Sequence, residues 1–222
     1  MQIPHLDYEQ ELLKQGYRLI AGVDEAGRGS IFGPVCVGMV VLPLDNPESL
    51  KESLAQVRDS KALYRKKVYR LAADVQAVAL AWAVGVSSAK EVDQYGIMGA
   101  IRRAEEQALG MVQAQLGCSV DFLLTDSTMP TPTGLDESHK RSLIRGDAQC
   151  LSIACAAILA KSEHDRLVRQ LAESCHPDYQ LDSNVGYGTP AHIEAVRRLG
   201  GTPYHRYTFR PVGQPPLPFE GD

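Results

Sequence analysis

Leu19-Ile20-Ala21-Gly22-Val23-Asp24-Glu25-Ala26-Gly27-Arg28-Gly29 runs from an apolar segment into two adjacent carboxylates and then a Gly-Arg-Gly turn. The apolar half reads as a strand, with Asp24 and Glu25 at its end. Neighbouring carboxylates repel, and a core does not tolerate them unpaired. A divalent cation resolves the repulsion, and hard oxygen ligands suit Mg²⁺ or Mn²⁺. Gly27 and Gly29 carry no Cβ to block a phosphate or sugar. Arg28 adds a planar, permanent cation. The pattern points to metal-assisted chemistry on a phosphate ester. For this stretch alone, a solvated turn is the competing reading.

Around it the chain predicts an α/β fold. Residues 18–24 form the first strand. Val35-Cys36-Val37-Gly38-Met39-Val40-Val41-Leu42 is β-branched and nearly continuous, as a buried strand is. Gly33-Pro34 marks the turn that makes this pair antiparallel. Residues 75–86 read as a third long strand that takes Trp82 into the core, and residues 120–125 as a fourth. Helices are expected at 8–15, 46–54, 64–73, 97–116, 151–173 and 191–199, the last with Pro190 in its first turn. Residues 127–138 are rich in Thr, Pro and Gly and predict an exposed loop. Strands come first and then alternate with helices. That order predicts a mixed sheet with helices on both faces and extra helices at the C-terminus.

The 222 residues suit one domain, 1–212, followed by a Pro-rich, disordered tail, 213–222. No apolar run approaches a membrane span, and the first fifteen residues lack a signal peptide's apolar core, so a cytoplasmic protein is expected. Five scattered cysteines (Cys36, Cys118, Cys150, Cys155, Cys175) have no CxxC spacing. That argues against a disulfide framework or a zinc site and for reduced thiols. Net charge is −4, yet residues 139–210 carry ten Lys/Arg against seven Asp/Glu and five of the six histidines. A basic C-terminal third beside acidic clusters suits a polyanion gripped on one side and metal held on the other. An ordinary mixed surface is the bland alternative.

Two predicted strands end in acids, Asp24-Glu25 and Asp126. A third acid, Asp147, follows Gly146 just ahead of a helix. If neighbouring strands run the same way, their ends converge into the carboxylate set that two-metal phosphoryl transfer requires. Asp126 could equally be a loop carboxylate, and Asp147 a helix N-cap.

Gly22-Val23-Asp24-Glu25-Ala26-Gly27-Arg28-Gly29 with Gly33-Pro34-Val35 resembles the opening signature of ribonuclease HII, the type 2 ribonucleases H. Matching blocks follow in order: Asp59-Ser60-Lys61-Ala62-Leu63; Gly146-Asp147 with Ser152-Ile153-Ala154 and Ile158-Leu159-Ala160-Lys161; His164-Asp165-Arg166; Gly186-Tyr187-Gly188-Thr189 with His192; and His205-Arg206 with Phe209. The resemblance spans about 18–212. It leaves no room for the N-terminal domain of ribonuclease HIII.

It implies a ribonuclease H-like mixed five-stranded sheet and metal-dependent endonucleolytic cleavage of RNA in RNA–DNA hybrids. It also implies incision 5′ of a single ribonucleotide in duplex DNA, leaving 3′-hydroxyl and 5′-phosphate ends. The metal acids it implies are Asp24, Glu25 and Asp147, each in a clear motif, and Asp126, placed by its strand-end position because Thr125-Asp126-Ser127 departs from the usual local sequence, with Asp24 bridging two Mg²⁺ or Mn²⁺ ions. Asp121 is the competitor of Asp126. Gly27, Arg28 and Gly29 resemble the ribose-sensing turn, and Tyr187 the tyrosine that stacks on the neighbouring deoxyribose. Lys61 resembles a phosphate contact, with a solvated loop lysine as the alternative. Lys161 and Asp165 read as an i,i+4 ion pair, and His164 and His192 as structural or close to the duplex.

Departures from the pattern are Ser30 for proline, Val185 for lysine and Cys155 for alanine. Ser30 is expected to loosen the turn and Val185 to remove a phosphate contact. Gln214-Pro215-Pro216-Leu217-Pro218-Phe219 has the Gln-x-x-Leu-x-Phe pattern of peptides that dock on sliding clamps, set against a plain disordered end. Partners expected are the hybrid and ribonucleotide-containing duplex, with no membrane, and a monomer. A junction resolvase on the same fold, or an inactive nucleic-acid binding module, is the rival reading.

Overall fold

The structure, a computed structural model, describes residues 3–57, 65–127 and 129–213. Lys61 and the Gln214-Phe219 segment lie outside the described residues. In chain order the elements are α1 (Asp7–Lys14), β1 (Ile20–Ala26), β2 (Val35–Val41), α2 (Pro47–Ser53), α3 (Arg65–Val78), β3 (Ala81–Ser87), α4 (Ala89–Leu116), β4 (Phe122–Asp126), β5 (Lys140–Leu143), α5 (Leu151–Ala172), α6 (Leu181–Asn184) and α7 (Pro190–Leu199). Among the described residues the sheet has five strands in the order β3-β2-β1-β4-β5. β1, β2 and β3 pair antiparallel, while β4 joins β1, and β5 joins β4, in parallel. The expected mixed sheet with helices on both faces is found.

Strand alternation divides the core. Val23, Val37, Met39 and Ala83 face α4, where Ile101, Ala104 and Ala108 pack. Val40 and Leu42 face the other way, toward Leu71 and Val75 of α3 and Leu151, Cys155 and Leu159 of α5. α5 crosses β1 and β2 closely because Gly22 and Gly38 have no side chain there. A Cβ on Gly22 would stand 2.2 Å from the carbonyl carbon of Ser152, and one on Gly38 2.2 Å from the Ala156 carbonyl oxygen. A separate apolar cluster, including Phe32, Val168, Tyr179, Leu181 and Val196, seats the C-terminal helices against the loop after β1.

Two expectations are corrected, the start of the third strand and the burial of Trp82, and two elements are added. Residues 75–78 belong to α3, which runs past residue 73, and the third strand begins at Ala81. Leu71 and Val75 are buried at helical spacing, so the 3.6-residue period prevails over the β-branched composition. α4 is kinked at Gly96 (φ 70°, ψ 164°, outside the helical region); the part after the kink is the helix expected at 97–116, and the part before it, from Ala89 with a Ser88–Glu91 capping box, is an addition to the expectation. β5, within Lys140-Arg141-Ser142-Leu143, lay outside the periodicity reading. Trp82 is half-buried on the edge strand, its backbone bonded to the Gln115 side chain. No helix among the described residues is long and apolar enough to cross a membrane.

Glu105 of α4 has no exposed surface, and neither carboxyl oxygen has a hydrogen-bond partner among the described residues. Burial pushes its carboxyl up to about 8, against the nearby Lys140. The folded chain therefore keeps a proton that the unfolded chain releases above about pH 4.5, so this group lowers stability as pH rises toward 8. Glu105→Met is expected to stabilise the protein at pH 8 by about 1–3 kcal/mol. The gain should shrink as pH falls to 5. Urea unfolding at the two pH values measures it, and an equal or negative difference at both contradicts the reading.

Candidate active site

β1 and β4 run in parallel with Val23 opposite Thr125, so the next step along each strand sets Asp24 beside Asp126 on the same face. Asp121, the competitor, sits at the opposite end of this segment and is engaged there. Its Oδ2 accepts the amides of Arg18 and Leu19, both at 2.8 Å. Asp126 accepts the Gly146 amide and, at 3.3 Å, the Ser127 hydroxyl. Arg145 takes a left-handed backbone (φ 58°) just ahead of Gly146, and Asp147 follows in a single 3₁₀ turn, 146–148. Asp147 is not the N-cap of α5. That position is Cys150, and Glu9 supplies the cap by accepting the Ser152 amide at 2.9 Å.

Asp24 is buried, and burial raises its carboxyl well above the usual range. The charges of Glu25, Asp126 and Asp147 raise it further, against the Glu25 amide at 2.8 Å. The four acids thus share one local field. They do not form a closed cage: no group of three or more His, Cys, Asp or Glu side chains stands at coordinating spacing among the described residues. Three of the acids are drawn to donors of their own, Asp24 to the Glu25 amide, Asp126 to Gly146 and Glu25 to Arg28 at 3.3 Å. Three carboxylates around a fourth, buried carboxyl make a hard oxygen donor set that matches the chemistry of Mg²⁺ or Mn²⁺.

The Gly-Arg-Gly turn lies beside these acids and is wedged between two C-terminal segments. Ser30 bridges Tyr187, and Phe32 bridges His205. The Ile31 amide donates to the Gly186 carbonyl at 2.9 Å, and the Gly33 amide to the Tyr204 carbonyl at 2.8 Å. Ser30 does not loosen the turn. Its amide closes the turn onto the Gly27 carbonyl at 3.2 Å, a bond proline cannot make. His164 fills the space under Gly27, where a Cβ would stand 2.3 Å from the ring. Its other contacts, to Ser30 and Asp165, are structural. Asp165 stays below the usual carboxylate range despite its burial, because His164 and Lys161 bond to it; the expected Lys161–Asp165 pair measures 3.1 Å.

Tyr187 exposes 39% of its surface next to the turn. Its carbonyl accepts from His192 Nδ1 at 2.9 Å, and His192 Nε2 lies 3.1 Å from His205 Nε2. The Thr202 amide donates to His205 Nδ1 at 2.9 Å. These bonds are all satisfied only by two neutral rings, each with one N–H. Burial accordingly holds His192 below its usual range and His205 down at about 4. Val185 adopts a left-handed backbone (φ 42°), costly for a β-branched side chain.

Sequence reasoning placed Arg206 in a matching block but gave it no role; it has no exposed surface. Its Nε donates to the Gly33 carbonyl at 3.0 Å. Nη1 donates to those of Gly27 at 2.7 Å and Arg28 at 3.2 Å, and Nη2 to that of Pro34 at 2.6 Å. Sequence reasoning missed Asp93, which accepts the amides of Tyr207 and Thr208 at 2.9 Å and anchors this C-terminal strap.

A family model described as ribonuclease HII matches residues 21–212. Ribonuclease HII of Chloroflexus aggregans is 43% identical over 212 residues, covering 94% of each chain. That of Dehalococcoides mccartyi (strain 195) is 40% identical over 208 residues, covering 92% of each. Among solved structures, ribonuclease H2 from Pyrococcus horikoshii aligns with a TM-score of 0.66 at 22% identity, over 87% of this chain and 94% of that one. The RNase HII of a PCNA:RNase HII complex from Archaeoglobus fulgidus gives 0.63 at 22% identity, over 82% and 88%. Bst-RNase HIII in complex with Mn²⁺ gives 0.64 at 20% identity, over 82% and 61%. At these identities the structures bear on the fold alone.

Proposed function

The chain belongs to the ribonuclease HII family of metal-dependent ribonucleases acting on RNA–DNA hybrids, and from that premise we propose that it also incises 5′ of single ribonucleotides embedded in duplex DNA. Asp24, Glu25, Asp126 and Asp147 would hold the cations, Mg²⁺ or Mn²⁺. When bound, a pair of such ions supplies an activated water and stabilises the leaving 3′-oxygen. Asp24 would be a principal ligand, since the charges of Glu25, Asp126 and Asp147 all act on its carboxyl. Gly27, Arg28 and Gly29 read the ribose, since backbone groups free of side chains reach a 2′-hydroxyl. Tyr187 packs on the next sugar, where a 2′-hydroxyl would clash with the ring.

One juxtaposition supports this most directly. The Ser30–Tyr187 bridge sets the sugar-reading turn and the exposed tyrosine side by side, next to the acid-bearing end of β1. A resolvase needs the acids but has no use for this pairing.

The test is cleavage of end-labelled duplex carrying one ribonucleotide, with Mg²⁺ and with Mn²⁺. Expected is a single cut 5′ of the ribonucleotide leaving a 3′-hydroxyl, with no cut in all-DNA duplex or in a four-way junction. Cleavage of the junction, or none of the ribonucleotide duplex, would reject the proposal. The Archaeoglobus structure is a complex with PCNA, and in this chain we assign sliding-clamp docking to Gln214-Pro215-Pro216-Leu217-Pro218-Phe219. Clamp binding that survives deletion of residues 213–222 would rule that assignment out.

A further inference from the structure

Arg206 is an unusual arginine. It is fully buried, and no carboxylate pairs with it among the described residues. Its guanidinium is spent on four backbone carbonyls, those of Gly27, Arg28, Gly33 and Pro34. The planar fork suits several fixed acceptors at once, where an ammonium is a single point of charge. Phe209 backs it, the guanidinium carbon lying 5.3 Å from the ring centroid.

Two of those carbonyls belong to the turn itself. In a trans peptide the C=O and the following N–H point in opposite directions. Holding the Gly27 carbonyl inward therefore directs the Arg28 amide outward, and holding the Arg28 carbonyl inward does the same for the Gly29 amide. Neither amide has a hydrogen-bond partner among the described residues. The space where a Gly29 Cβ would stand is open to 4 Å. The result is a pair of consecutive, outward-facing donors, a backbone geometry suited to an oxygen acceptor.

We propose that Arg206 is a positioning residue for sugar discrimination: by gripping the carbonyls of Gly27 and Arg28 it presents the amides of Arg28 and Gly29 as a paired donor to the ribose 2′-hydroxyl. The proposal rests on the ribose-reading role proposed above for this turn. A scaffold residue would support all substrates alike. Arg206, acting through two amides that meet only the 2′-oxygen, supports the ribonucleotide duplex selectively.

The experiment measures Kd by fluorescence anisotropy, in EDTA so that nothing is cut. The probes are a short DNA duplex with one ribonucleotide and the same duplex in all-DNA form. Wild type is expected to bind the ribonucleotide duplex more tightly. In Arg206→Lys, Kd for that duplex should rise about tenfold, the loss of one or two net hydrogen bonds. Kd for all-DNA duplex should stay within about twofold of wild type, a change near 0.4 kcal/mol. If both constants rise together, or neither changes, Arg206 is not a discrimination residue. Where Arg206→Lys does not fold, Phe209→Leu decides the matter. It removes the ring behind the guanidinium and should narrow the preference at least about threefold; an unchanged preference overturns the proposal. Should wild type itself bind both duplexes equally, the ribose-reading role of the turn falls first, a result distinct from loss of the Arg206 grip alone.

Discussion

Asp24→Asn is expected to lower the rate of ribonucleotide-duplex cleavage by roughly 10³-fold or more, about 4 kcal/mol of transition-state stabilisation, while stabilising the chelated protein. The two effects have one origin. Asp24 is a buried carboxyl whose charge is opposed by burial and by Glu25, Asp126 and Asp147. Its proton is held more tightly in the folded chain than in the unfolded one. Stability is therefore lost as pH rises above the ordinary carboxylate range, because the unfolded chain releases the proton first. Asparagine keeps the shape and removes the charge. In EDTA at pH 7 its melting temperature should exceed wild type by roughly 2–6 °C, with the gap closing toward pH 4.

Adding Mn²⁺ should reverse the order, since cation binding to the native state stabilises wild type by mass action and the variant less. A functional site that weakens the fold until its ligand arrives gives this signature. Wild-type turnover in Asp24→Asn would remove Asp24 from the chemistry. A variant that is inactive and also less stable in EDTA would mean that the carboxylate serves the fold.

What was legible in the sequence, and what was not, follows from the physics of each segment. The β2 run is apolar because both its faces are buried, so it announces itself. α5 and α7 show apolar periodicity or a proline start. The acids at the ends of β1 and β4 were legible because a carboxylate closing an apolar strand carries a desolvation cost that a bound cation offsets. Val75 and Val78 misled because a β-branched composition fits either a strand or the last turn of a buried helix. β5 is a short edge strand of two cations and a serine before its first buried residue, Leu143. Its alternation has no apolar face to display.

For Asp147 a helix N-cap competed with the metal reading because acids precede helices. The true cap comes from Glu9, more than a hundred residues away, and only the fold brings it there. Arg206 was hidden most thoroughly. Its partners are carbonyl oxygens, which every residue has, so no residue type elsewhere signals that an arginine is buried against them. A His-Arg pair in the sequence gives the charge but not its burial.

The second large effect concerns Gly22, two residues before Asp24. Gly22→Ala places a methyl 2.2 Å from the carbonyl carbon of Ser152 and 2.5 Å from the amide nitrogen of Ile153. These are backbone atoms of the first turn of α5, so no side chain can rotate out of the way. The helix has to shift off the sheet or β1 has to bend. Overpacking against rigid backbone costs about 3 kcal/mol or more, or roughly 6–12 °C of melting temperature for a chain of this size. Activity should fall as well, because the same contact sets the spacing between β1, which carries Asp24, and the segment leading from Asp147 into α5.

Gly29→Ala is the matched control. There a Cβ meets nothing within 4 Å and φ lies outside the left-handed region. That variant should melt within about 1–2 °C of wild type, as surface substitutions do. It should nevertheless lose ribonucleotide-duplex cleavage, since the added methyl occupies the surface the ribose would approach. Thermal melts and cleavage rates of the two alanine variants, side by side, separate glycine needed for helix–sheet contact from glycine needed for ligand approach. A Gly22→Ala protein as stable as wild type would show that α5 does not sit on β1 at this distance. A Gly29→Ala protein that cleaves normally would show that the sugar is read elsewhere.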